Sequence, residues 1–97
     1  MELLMIQFVW DDKKAEANWR KHGIQFEEAI EVFKDPLRET TLNCIENGEI
    51  RYQTIGSIGS HQLLLLIFTR FENGTTIIRI ISARRLNKRE RRKYEHG

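Results

Sequence analysis

Three groups of side chains in this 97-residue sequence have the types and placement to do chemistry: His22 beside Lys21, arginines within and just after an apolar strand, and a run of cations near the C-terminus. An imidazole with an unperturbed pKa of about 6.5 exchanges its proton near neutrality, which makes His22 the best titratable candidate. Arg79 interrupts the stretch Ile77-Ile78-Arg79-Ile80-Ile81. A guanidinium there is costly unless it is paired or reaches water along a covered stem. Guanidinium grips phosphate oxygens with two prongs, so Arg79 reads as a phosphate ligand lining a groove; the alternative is a structural ion pair with Glu49 or Glu27. Arg51, in an earlier strand, is a similar candidate. Arg84 and Arg85 follow at the strand end, where reactive groups project from a rigid scaffold. Together these residues could hold a phosphate and move a proton beside it.

The distribution of charge points the same way. The formal net charge is only +2, but residues 79–97 hold eight Lys and Arg against two Glu, while residues 1–78 hold eight cations against twelve anions. Lys88, Arg89, Arg92 and their neighbours form a surface that attracts phosphate without reading sequence. Tyr94 can stack on a base or anchor its helix. Lys21 can touch phosphate or stand solvated, and His22 can serve only the last carbonyls of its helix. His61 reads as a loop residue and His96 as part of a frayed end.

Local patterns say which elements position these groups. Leu4, Ile6, Phe8 and Trp10 alternate with Met5, Gln7 and Val9, predicting a first strand with one buried face. Asp11 or Asp12 caps a helix running to about His22, with Ala15, Trp19 and His22 on one side, Asn18 adjacent, and Gly23 as its left-handed stop. Phe26, Ala29, Ile30 and Phe33 predict a short second helix closed by Asp35-Pro36. Four strand-like segments follow, 39–45, 50–58, 62–71 and 75–82, separated by Asn47-Gly48, Gly59-Ser60 and Asn73-Gly74. Asn-Gly predicts tight hairpins with positive φ at both central residues. Leu63–Phe68 lacks alternation, as a central strand covered on both faces does. Asn87 and Glu90 make a capping box for a polar last helix, anchored only by Leu86 and Tyr94. The expected fold is a single α+β domain over residues 1–97, with helices on a curved antiparallel sheet.

Several classes are excluded. The longest apolar run, Leu63–Phe68, is far below the roughly 20 residues needed to cross a bilayer. The first residues lack a cationic start and a cleavage site, so the expected location is cytoplasmic. Cys44 is the sole cysteine, which rules out an internal disulfide and argues against a thiolate metal site.

These motifs also occur in an ordered set. Trp10-Asp11, Lys14, Asn18, Lys21-His22-Gly23, Phe26-Glu27-Glu28-Ala29, Val32-Phe33 and Asp35-Pro36 resemble the N-terminal half of BrnT-type toxins. Arg51, Gly56, Arg79-Ile80-Ile81-Ser82-Ala83-Arg84, Arg89-Glu90-Arg91 and Tyr94 resemble the second half. Gln25 departs from the usual Ser or Thr and costs cap quality rather than chemistry. The resemblance implies a RelE-like or barnase-like fold and a type II toxin that cleaves RNA and halts translation. It further implies no metal, a BrnA-type antitoxin partner, and operator DNA contacted only through the antitoxin. Metal-free RNA cleavage uses the ribose 2′-hydroxyl as nucleophile. It requires a proton acceptor, charge stabilisation at phosphorus and protonation of the leaving oxygen. The expected catalytic residues are His22, Arg51, Arg79 and Arg84, with Lys21, Arg85, Lys88, Arg89, Arg92 and Tyr94 binding RNA. Two other readings remain: a non-catalytic nucleic-acid-binding or regulatory module, and a degenerate toxin that only binds its antitoxin.

Overall fold

The computed structural model describes residues 5–59 and 62–96. Strand β1 (Ile6–Val9) leads into helix α1 (Asp12–His22), the short helix α2 (Phe26–Ala29) and a 3-10 turn over Ile30–Lys34. Four strands follow, β2 (Glu39–Glu46), β3 (Glu49–Ile58), β4 (Gln62–Asn73) and β5 (Thr75–Arg85), and then helix α3 (Lys88–His96). The strand order in the sheet is β1-β5-β4-β3-β2, so β4 occupies the centre as its uninterrupted apolar run requires.

The sheet departs from the antiparallel arrangement expected of it. The sheet is mixed rather than antiparallel, because β1 lies parallel to β5, with Ile6 opposite Thr76 and Val9 opposite Arg79. A parallel pair needs a long crossover, and everything between residues 9 and 75 supplies it. No local pattern in β1 reveals that partner.

Local chemistry explains most of the element ends. The Asp11 carboxylate accepts from the Lys13 amide at 3.1 Å and caps α1, while Gly23 ends it at φ 68°. Gln25 starts α2 without a side-chain cap, and the segment tightens into 3-10 geometry at Ile30. Asn47 and Gly48 both adopt positive φ in the β2–β3 hairpin. At Asn73-Gly74 only the glycine does so, since Asn73 already pairs with Thr75. Helix α3 extends to His96. The Gly59-Ser60 turn is described only at Gly59, and His61 and Leu4 lie outside the described residues.

The core lies between one sheet face and α1, α2 and the 3-10 turn. Phe26, Leu64, Leu66, Val32 and Ile80 are fully buried there, each of the large ones stabilising the fold by about 1.5–3 kcal/mol. Phe33 joins Phe8 to Phe68 through ring contacts with centroids 5.3 and 5.2 Å apart. Gly56 lies so close to the 3-10 turn that a Cβ would stand 2.8 Å from Val32 Cγ1, leaving no room for a side chain. Ile6, expected on the buried face of β1, is more than half exposed, and so is Trp19 on α1, whose buried residue is Asn18.

Candidate active site

Asn18 fixes how α1 meets the sheet. Its side-chain oxygen accepts from the Ala83 amide at 3.0 Å, and its Nδ2 donates to the Ala83 carbonyl at 2.9 Å. The amide thus pairs with β5 as a neighbouring strand would, beyond the point where β1 has ended. Nδ2 also donates to the Ile24 carbonyl at 3.1 Å, holding the loop after α1. This anchorage sets the end of α1, with Lys21 and His22, against the end of β5.

A bulge then decides which arginines face together. Residues five apart in a regular strand point to opposite faces. In β5 the register slips near Ile81: Ile67 pairs with Ser82 while the next residue, Phe68, pairs with Ile80. Arg79 therefore stands opposite Thr69 and Arg84 opposite Leu65, both on the face turned away from α1 and α2. Arg51, two residues before Gln53 on β3, shares that face. The three arginines expected to be catalytic thus lie on the open side of the sheet, and α3 covers only part of it, above Gln53 and Ile55.

They do not form one cluster. The partners of Arg79 and Arg84 stand four positions apart on β4, about 13 Å at strand rise. At the Arg84 end, a shallow cavity of about 210 Å³ is lined by Lys14, Lys21, His22 and Ser82, with Ile81 and Asn18 beneath. Lys14 and Ser82 were not among the expected site residues. The signal for Lys14 was its spacing of seven from Lys21, two turns along one helix face. The His22 pKa is lowered by partial burial and by the positive charges of Lys21 and Arg84, so neutral imidazole is favoured.

Arg84 is held by both oxygens of Glu90, each at 2.8 Å. Glu90 also accepts from the Asn87 amide at 2.9 Å, while Asn87 Oδ1 accepts from the Glu90 amide at 2.8 Å, completing the expected capping box. The Arg84 guanidinium holds the Glu90 carboxyl down at about 2. Glu90 is thus both cap and counter-ion, and it ties α3 to the end of β5.

Arg51 pairs with Glu46 at 2.8 Å. Arg79 is exposed and makes no ion pair with Glu49, Glu27 or any other carboxylate among the described residues. Arg85 stands on the opposite face from Arg84, where it donates to the His22 carbonyl at 3.1 Å. The Gln62 amide, oriented with its oxygen toward Arg85, accepts from Nε at 2.7 Å. This geometry makes Arg85 a tie between α1 and β4. Lys88, Arg89 and Arg92 stand exposed on α3. Tyr94 is half-buried and donates to the Leu37 carbonyl at 3.2 Å. Burial and the charges of Asp35 and Glu39 raise its pKa, so it remains a protonated donor that anchors the helix.

Among the described residues, no three His, Cys, Asp or Glu side chains gather as a metal-binding group, and no helix is long and apolar enough to cross a membrane. The structure is similar to the crystal structure of the Brucella abortus ribonuclease toxin BrnT, with a TM-score of 0.61 and 24% identity over 87% of this chain and 99% of that one. No curated protein matches the sequence. Residues 10–90 match the family described as the ribonuclease toxin, BrnT, of type II toxin-antitoxin systems, and the chain belongs to that family.

Proposed function

We propose that this toxin cleaves RNA on the open sheet face, using protein side chains alone, with the reaction centred at His22 and Arg84. The observation that carries this reading is the placement of a histidine biased toward its neutral form beside an arginine on a face with two further arginines. Neutral His22 accepts the 2′-hydroxyl proton as that oxygen attacks phosphorus, and the P–O5′ bond breaks to leave a 2′,3′-cyclic phosphate and a 5′-hydroxyl protonated from water. Arg84 and Lys21 stabilise charge on the phosphoryl oxygens. Arg79 and Arg51 hold the strand further along the face, and Lys88, Arg89 and Arg92 attract it. Cleavage in the cytoplasm halts translation and growth. A cognate antitoxin, expected of any type II toxin, is of the BrnA type in this reading, and operator DNA is contacted only through it.

The test is RNA integrity and growth after brief controlled expression, with an Arg79→Ala, Arg84→Ala double variant as control. New RNA ends and growth arrest in wild type, both absent in the folded double variant, support the reading. Intact RNA with abundant soluble wild-type protein overturns it. Bound but uncleaved RNA would then mark a binding module, and antitoxin binding alone a degenerate toxin.

A further inference from the structure

The two hairpins of the sheet part company at one end. Pairing between β3 and β4 runs from Ile58 opposite Gln62 to Tyr52 opposite Phe68 and goes no further. Beyond that point β3 continues to Glu49 against β2, and β4 continues to Asn73 against β5. Between the arms lies a notch of about 340 Å³, with Glu49, Ile50 and Tyr52 on one wall and Thr69, Phe71 and Arg79 on the other. Facing backbone groups of residues 49–51 and 69–73 have no ladder partner across it, so they remain available as donors and acceptors.

Phe71 is 63% exposed, a large apolar ring left in solvent. It pairs with Ile77, and Thr69 pairs with Arg79, so Phe71 and Arg79 are diagonal neighbours on one face. Arg79 carries no ion pair among the described residues. Arg51, where the arms begin to part, keeps a buried Nε without a hydrogen-bond partner among the described residues. An aromatic face, an uncommitted guanidinium and free backbone edges are what a single-stranded nucleotide engages, through base stacking, phosphate pairing and base-edge hydrogen bonds. A hydrophobic protein surface would not call for the free cation.

We propose that this notch is a nucleotide subsite for single-stranded RNA, in which a base stacks on Phe71 and its phosphate is held by Arg79, remote from the reacting bond. The inference rests on the RNA reading above and adds a position where the strand is gripped. Glu49, on the opposite wall, keeps phosphate on the Arg79 side and offers an acceptor to the base edge.

The experiment measures binding of a labelled 2′-O-methyl pentanucleotide, which lacks the nucleophilic hydroxyl, to wild type, Phe71→Ala, Phe71→Trp and Arg79→Ala, with circular dichroism confirming each fold. Stacking of about 1–3 kcal/mol per base corresponds to a roughly 5- to 150-fold weaker Kd for Phe71→Ala. Phe71→Trp should bind within about twofold of wild type, since any aromatic face stacks. Arg79→Ala should lower the salt slope of log K by about 0.7, the value for one single-strand phosphate contact, while Phe71→Ala leaves the slope unchanged. Equal affinity of Phe71→Ala and wild type, failure of Phe71→Trp to restore binding, or no binding by wild type overturns the subsite. A Phe71→Ala defect seen only in antitoxin complexation assigns the notch to a protein partner and also overturns it. Cleavage of the matching ribo-oligonucleotide is read separately: wild type that binds through Phe71 yet cuts nothing refutes the catalytic reading and leaves the subsite standing.

Discussion

Replacing Asn18 with alanine tests whether one side chain holds α1 and the candidate site against the sheet. Asn18 is 6% exposed and makes three hydrogen bonds to backbone: to the Ala83 amide, the Ala83 carbonyl and the Ile24 carbonyl. Alanine removes all three and strands these groups where β1 no longer reaches. A buried amide left without a partner costs about 1–3 kcal/mol, and two carbonyls with a small packing loss bring the total to roughly 3–5 kcal/mol. Domains of this size are stable by about 5–15 kcal/mol, so the loss is a large fraction of the whole. At about 4–8 °C per kcal/mol, the melting temperature should fall by at least ~12 °C. Urea unfolding followed by far-ultraviolet circular dichroism is the assay, with the midpoint falling and the m-value unchanged. Asn18→Asp keeps the acceptor for the Ala83 amide but turns a second oxygen toward two carbonyls. Its carboxyl pKa should rise on folding, so this variant should lose stability as pH increases from 3 to 7. A loss below about 1 kcal/mol for Asn18→Ala would refute the argument that this amide substitutes for a strand.

Gly56→Ala should destabilise by about 1–3 kcal/mol in the same assay, because the new methyl group would meet Val32 at 2.8 Å and Arg38 Cβ at 3.2 Å. The Arg84–Glu90 pair gives α3 a pH dependence of definite sign. The folded Glu90 value of about 2 lies below its ordinary 4.5, so this stabilisation is complete above pH 4.5 and is lost as pH falls through about 2. The protection factors of the α3 amides, with exchange normalised to the intrinsic rate at each pH, should fall over that window, and Glu90→Gln should be less protected already at pH 7, at a cost of about 1 kcal/mol for a partly exposed pair. For His22, whose pKa is depressed by burial, Lys21 and Arg84, Lys21→Ala or Arg84→Ala should raise the value measured by proton NMR titration. In wild type the acid limb of the cleavage rate should lie below the ordinary histidine range, and His22→Gln should abolish it.

What the sequence determined by itself was set by short-range physics. Asp11 and Gly23 bound α1, Asn47-Gly48 turns the first hairpin, and Asn87 with Glu90 opens α3, because each depends on hydrogen bonds or φ preferences within a few residues. The central position of β4 was equally legible from its unbroken apolar run. The ordered motifs also carried the family, while residue type and place along the strands picked out the candidate arginines and His22. Only the tertiary structure decided how these groups face one another. The parallel pairing of β1 with β5 joins segments about seventy residues apart, which no local pattern encodes. Alternation alone would put Arg79 and Arg84 on opposite faces; the slip near Ile81 reverses the phase and brings both to the open side. Asn18 had no pattern marking it as a strand substitute, because that role exists only where β1 stops short and leaves Ala83 unpaired. The commitment of Arg84 to Glu90, of Arg85 to His22 and Gln62, and the lack of an ion pair at Arg79 among the described residues follow from the same cause. A residue's type sets which partners it can take, but the packed chain decides which of them are within reach.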